Sequence, residues 1–232
     1  MKAIRNNIPN AITSLNLLCG CLACIAAFSC FDPMCGMALK GYQWAFILIG
    51  LAAVADFCDG LVARMLHAVS DIGAELDSLA DLVSFGIAPA MVLYNMMLEH
   101  GEGHWALLAM LLPVFGAIRL ARYNTDPTQG TVFTGLPIPA NAIFWIGFTA
   151  WYATYPTPLW MVVVLIVALS LLMVCNMRMF SLKMHNLSSL KENWAQYLQV
   201  VATVAFVVLM GLRGLAPAIM LYVLLSIIKR EK

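Results

Sequence analysis

Six of the chain's twelve acidic residues crowd between positions 56 and 81: Asp56, Asp59, Asp71, Glu75, Asp77 and Asp81. The segment reads Asp56-Phe-Cys-Asp59-Gly60-Leu-Val-Ala63-Arg64, continues for eight residues, and resumes as Gly73-Ala-Glu-Leu-Asp77-Ser-Leu-Ala-Asp81. At about 100° per helical residue, Asp56, Asp59, Gly60, Ala63 and Arg64 share one face. On the next helix, Asp77, Asp81 and Ser84 share a face with Gly73. Asp71 and Glu75 fall on the opposite side, and Asp71 reads as a cap or interface residue at the start of that helix. Four aspartates therefore converge from two antiparallel helices. One arginine cannot neutralise four carboxylates, and like charges brought together repel. Divalent cations resolve the conflict, and hard oxygen ligands select Mg²⁺, Mn²⁺ or Ca²⁺. Four carboxylates on two helices suit two metals with shared ligands. Arg64 beside such metals suits a phosphate, and a diphosphate is the natural anion. Gly60, Ala63 and Gly73 either let a ligand reach the helix backbones or let the helices pack closely.

The elements that carry these residues are expected to be transmembrane. The chain has 232 residues, 62% hydrophobic and only 11% charged. A soluble domain carries about 25% charged residues, so this composition excludes an ordinary soluble enzyme. Crossing hydrocarbon takes about 20 apolar residues as a helix. Eight spans are expected near 12–32, 41–66, 72–98, 104–123, 137–154, 157–175, 195–212 and 214–230, an all-α polytopic bundle forming one domain over 1–232. Gly and Pro mark the joints, among them Pro33, Gly101, Pro127, Pro156 and Gly214. Pro9 suits the first turn of a helix. The polar Met1–Asn10 stretch argues against a cleavable signal peptide.

With both termini inside, eleven Lys and Arg fall on the inner side: Lys2, Arg5, Arg64, Arg119, Arg122, Arg178, Lys183, Lys191, Lys229, Arg230 and Lys232. Only Lys40 and Arg213 fall outside, as the positive-inside rule expects. Inside the bilayer a carboxylate costs roughly 2.5–3.5 kcal/mol, so four cost on the order of 10 kcal/mol. Passive helices have no reason to carry that load. A cation or proton path would, as would a metal-dependent enzyme.

Other residues offer weaker signals. Arg119 and Arg122 lie three apart and face one way, either as inner-side anchors or as a clamp for a carboxylate or lipid phosphate. Asn10, Thr13, Asn16 and Gly20 form a polar stripe on the first span. It serves either as interhelical glue or as a pocket wall, and Asn16 leans to the pocket. Asn141, after Pro137 and Pro139, is a similar candidate. Trp194 and Tyr197 read as interfacial anchors. His67, His100, His104 and His185 read as loop or interface residues. The seven cysteines read mostly as small buried hydrophobes, though Cys30 and Cys35 flank a turn and could pair.

Asp56, Asp59, Gly60, Ala63, Arg64, Gly73, Asp77 and Asp81 together match D-x2-D-G-x2-A-R-x8-G-x3-D-x3-D. At these residues the chain resembles the CDP-alcohol phosphatidyltransferase family. Within it, the run from Asp77 to Pro89, the segment Ile8–Asn16 with Gly20, and Gly135–Asn141 are similar to the serine-transferring branch. Two C-terminal spans (195–230) beyond the core spans (12–175) fit that branch too.

The resemblance implies that CDP-diacylglycerol and L-serine give phosphatidylserine and CMP. It implies that Asp56, Asp59, Asp77 and Asp81 ligate Mg²⁺ or Mn²⁺, two per site, with Ca²⁺ able to occupy it. Asp56, Gly60, Ala63, Arg64, Gly73 and Asp77 would surround the cytidine diphosphate, and Asp81 would serve as general base. Ser84, Asn16, Asn141, Arg119 and Arg122 are candidates for serine or the lipid phosphate. A homodimer in the cytoplasmic membrane is expected, its active site on the cytoplasmic side among membrane lipids, with no nucleic-acid partner. The rival acceptors are those giving phosphatidylglycerophosphate or phosphatidylinositol phosphate. The rival class is the cation or proton transporter.

Overall fold

The computed structural model describes residues 2–36, 38–68, 70–125, 134–179 and 193–228, with side chains left out for 2–6 and Cys35. Pro127, Lys183, His185, Lys191, Lys229, Arg230 and Lys232, named above, lie outside the described residues. Those residues form helices and turns. Their only extended pairings are two isolated bridges, Pro33 with Lys40 and Thr134 with Arg178. The chain divides into two compact units, Met1–Leu120 and Ala121–Lys232.

In the first unit, α1 (Lys2–Phe28) packs on α2 (Gly41–Met65), α3 (Asp71–Asp81) and α4 (Ala88–Glu99). Small residues make this possible. Ala23, Ala26 and Ala27 of α1 and Ala45 and Ala52 of α2 have no exposed surface. A Cβ on Gly41 would strike the carbonyl oxygens of Ala26 and Ser29. In hydrocarbon, where burial gives helices no hydrophobic drive to associate, such close backbone approach supplies the packing energy. Larger apolar residues, including Leu18, Ile25, Phe28, Val54 and Phe57, point outward. An apolar exterior of that kind suits lipid.

Helix α3 runs into α4 through a π-helical segment, Leu82–Ile87. A 3₁₀ stretch, Gly103–Met110, leads into α5 (Leu111–Thr125), which carries the chain across the boundary between the units.

Two local expectations need correction. Helix α1 begins at Lys2, so Pro9 lies inside it rather than in its first turn. Proline there removes one ladder bond without ending the helix. The cap of α3 is Ser70, whose Oγ accepts from Gly73 N at 3.1 Å. Asp71 is the first helical residue, where its charge favours the helix dipole.

The second unit holds α6 (Ile138–Tyr152), α7 (Leu159–Val174), α8 (Trp194–Met210) and α9 (Leu215–Ile228). Trp145, Phe148 and Tyr152 bury one face of α6. Helices α8 and α9 form one apolar helical run of 35 residues. The run is interrupted by Gly211 at φ +61° and a 3₁₀ turn, Gly211–Gly214. A Cβ on Gly214 would strike the Phe206 carbonyl oxygen, so the chain doubles back and α9 packs on α8.

Among the described residues, five stretches are able by length and hydropathy to cross a membrane: Asn7–Phe28, Gly41–Met65, Asp71–Glu99, Gly103–Thr125 and Trp194–Ile228. Leu159–Val174 is a shorter apolar helix. These stretches make the chain an integral membrane protein. The first span begins and ends several residues earlier than the expected 12–32, because Ser29–Phe31 already belong to a turn.

Candidate functional site

The turn between α2 and α3 sets the site. Helix α2 ends in a Schellman motif: Ala68 N donates to Ala63 O at 3.0 Å and His67 N to Arg64 O at 3.3 Å. His67 takes the left-handed position at φ +48°, where glycine is commoner. The Ser70 cap then starts α3, and the two helices present their aspartates to each other.

Asp56, Asp59 and Asp77 each offer one oxygen, and these three atoms lie within 4.8 Å of one another. Asp59 is buried, while Asp56 and Asp77 are half-buried. Asp77 Oδ1 is buried with no hydrogen-bond partner. Carboxylate oxygens gathered this closely are able to hold a hard divalent cation. The residues present therefore fit the metal that the sequence calls for.

Helix α1 supplies the roof. Thr13, 3% exposed, sends its Oγ1 to Asp59 Oδ2 at 2.6 Å and lies 3.1 Å from Pro9 O. Asn16 Nδ2 donates to Asp81 Oδ1 at 3.3 Å. Ser84 Oγ donates to Asn16 O at 3.0 Å. Asp81 is half-buried and is not one of the three clustered carboxylates.

Beside the triad lies an open cleft of about 480 Å³. Pro9, Asn10, Thr13, Asp59, Gly60, Ala63, Ala68, Ser70, Gly73, Ala74 and Asp77 line it. Its two glycines differ. A Cβ on Gly60 would meet only Arg64 Nη2 at 3.7 Å, so the cleft floor there is open. A Cβ on Gly73 would press on Asn10 Oδ1 and Ser70 Oγ, both at 3.0 Å. Gly60 thus faces open space, whereas Gly73 makes room for α1 and the α3 cap. Arg64 is exposed at the rim and sends its Nε to Gly60 O at 2.9 Å.

The structure brings the eight spaced positions and Ser84 into one region of the first unit, with Asn16 above them. Arg119 lies in α5 of that unit. Arg122 belongs to the second unit, where its Nη1 donates to Val174 O at 2.8 Å, a carbonyl at the end of α7. Asn141, also in the second unit, accepts from Trp145 Nε1 at 3.1 Å. Thr13, Ser70 and Ala68 are site residues that the spaced pattern did not contain. Thr13 was visible as part of the polar stripe on α1; Ser70 carried no signal beyond its place before a helix. Cys30 is a free thiol. Burial pushes it up to about 12, the Glu99 carboxylate adds to this, and Lys40 opposes it. A thiol so held is unreactive at neutral pH.

The sequence model of the CDP-alcohol phosphatidyltransferase family matches residues 6–152. Several curated proteins named CDP-diacylglycerol–serine O-phosphatidyltransferase are similar to the chain. The one from Mycobacterium bovis is 35% identical over 229 residues, covering 94% of this chain and 74% of its own. That of Methanocaldococcus jannaschii is 41% identical over 142 residues, covering 61% of this chain and 59% of its own. That of Bacillus subtilis is 37% identical over 134 residues, covering 58% and 70%.

Proposed function

This chain belongs to the CDP-alcohol phosphatidyltransferase family, and we propose that it transfers the phosphatidyl group of CDP-diacylglycerol to the hydroxyl of L-serine, giving phosphatidylserine and CMP. The observation that carries this reading is the convergence of Asp56, Asp59 and Asp77 beside a cleft floored by Gly60. The names of the relatives support serine as the acceptor.

Each residue then has a task. The open floor at Gly60 and Ala63 admits the cytidine diphosphate close to the α2 backbone. Arg64 at the rim is the cation for its phosphates. Mg²⁺ or Mn²⁺, two per site, would neutralise the diphosphate and stabilise departing CMP when held by Asp56, Asp59, Asp77 and Asp81. Thr13 fixes the Asp59 carboxylate. Asp81 also faces the acceptor hydroxyl. The serine oxygen forms its bond to the phosphorus that carries diacylglycerol. The bond from that phosphorus to the CMP oxygen breaks, and its electron pair leaves with CMP. The hydroxyl proton passes to Asp81. Positioning and charge neutralisation supply most of the rate in such transfers.

The same reading takes 1–232 as one catalytic domain with eight crossings, both termini cytoplasmic. The sorting of eleven basic residues against two supports that orientation. It places the carboxylates at the cytoplasmic ends of α2 and α3, where serine is available. Family resemblance further implies a homodimer. The test is release of CMP from CDP-diacylglycerol with Mn²⁺ or Mg²⁺ and a panel of acceptor alcohols. CMP release and phosphatidylserine formation with serine alone are expected. Preference for glycerol 3-phosphate or inositol phosphate would move the chain to another branch. Cation flux without CMP release would favour a transporter.

A further inference from the structure

Helix α1 lays two polar side chains three residues apart across the site, and each takes a different carboxylate. Thr13 holds Asp59, a member of the triad, and Asn16 holds Asp81, which is not a member. Asn16 has no exposed surface, and its Oδ1 is buried with no partner. A buried amide with an orphaned oxygen is a costly way to fill space that leucine fills more cheaply. Packing alone therefore does not account for it.

The backbone of Asn16 is tied to the same region. Its carbonyl accepts from Ser84 Oγ at 3.0 Å, and Ser84 lies in the π-helical segment that begins directly after Asp81. Gly20 lets the two helices touch there, since a Cβ would strike Ser84. Asn16 thus grips α3 on one side of the change in winding and the π-segment on the other. Segments of this kind are frequent at functional sites.

We propose that Asn16 is a positioning residue for Asp81, a role that rests on the phosphatidyl-transfer reading. Its amide N–H fixes one oxygen of the Asp81 carboxylate. Its second oxygen remains for the acceptor hydroxyl.

The test uses the full chain, purified with lipid. Asn16→Leu should lower kcat by about ten- to hundredfold, the usual effect of losing an outer-shell partner. KM for serine and for CDP-diacylglycerol should stay within about threefold. Mn²⁺ affinity, read by paramagnetic resonance without substrate, should also hold. In an Asp81→Asn background the same substitution should cost less than about twofold more, because the group it positions is gone. Asn16→Ala repeats the measurement where leucine disturbs the fold. Full kcat in Asn16→Leu, additive losses in the double variant, or loss of Mn²⁺ binding in both Asn16 variants would each overturn the role. Wild-type protein that releases no CMP with any acceptor sinks the transfer reading and this role together. Active wild type with an equally active Asn16→Leu sinks the role alone.

Discussion

Both units bury polar side chains inside apolar helices, but they satisfy them differently. In the second unit most bonds stay within one helix. Thr149 donates to Trp145 O, Ser226 to Tyr222 O, and Trp145 Nε1 to Asn141 Oδ1. Gln199 Nε2 reaches Ala218 O on α9, and the less buried Arg122 and Arg213 also bond to other elements. Around the aspartates of the first unit three bonds cross between elements: Thr13 to Asp59, Asn16 to Asp81, and Ser84 back to Asn16. A polar group answered by its own helix needs nothing else. Groups answered across helices, beside a carboxylate oxygen with no partner, leave donors and acceptors that a ligand can use. The second unit also leaves single atoms unanswered, Ser170 Oγ and Gln199 Oε1, but neither is charged.

That contrast can be broken most directly at the triad. Asp59→Asn should cut CMP release by more than about a hundredfold, beyond the usual loss of an outer-shell partner. It should weaken Mn²⁺ binding in parallel. Chelation should stop the wild type, and added Mn²⁺ should restore it. Turnover that survives either treatment would remove the metal from the reading. Thr13→Val comes next. It keeps the shape but removes the bond to Asp59, and should cost about tenfold or more in Mn²⁺ affinity.

The two glycines should respond with opposite signs. Gly60→Ala meets no clash and gains helix propensity of roughly 0.5–1 kcal/mol, so its melting temperature should hold or rise. The added methyl narrows the cleft floor, and CDP-diacylglycerol binding should weaken. Gly73→Ala should instead lower the melting temperature, because Asn10 and the Ser70 cap must give way. Equal behaviour of the pair in thermal melts and nucleotide titrations would erase the distinction. The smallest effect is expected at Ser226→Ala in the second unit. Turnover there should change by less than about twofold, since the bond lost runs within one helix and touches no group of the site. A large loss would show that the second unit's polar groups also serve the reaction.

Much of the site was legible because its chemistry repeats at helical spacing. Eight positions from Asp56 to Asp81 needed only two helices and a turn to converge, and local periodicity supplies both. The same periodicity set Asp71 and Glu75 aside, and both are exposed. The cap at Ser70 and the helical start before Pro9 were misread. Helix ends depend on single hydrogen bonds that many sequences could make. The two C-terminal helices were separable through Gly214, although their continuous hydropathy makes one long stretch.

By itself the sequence determined the membrane setting, the four aspartates and the faces they occupy, since these follow from composition and from about 100° of turn per residue. Tertiary structure alone decided which neighbours those residues meet. Spacing could not say whether Gly60 or Gly73 faced open space, because that depends on where α1 lies. Nor could it say that Thr13 would bond to Asp59 while Asn16 bonded to Asp81. Those pairings join residues 46 and 65 positions apart. They exist only once small side chains have let α1 settle onto α2 and α3, and no local pattern encodes that docking.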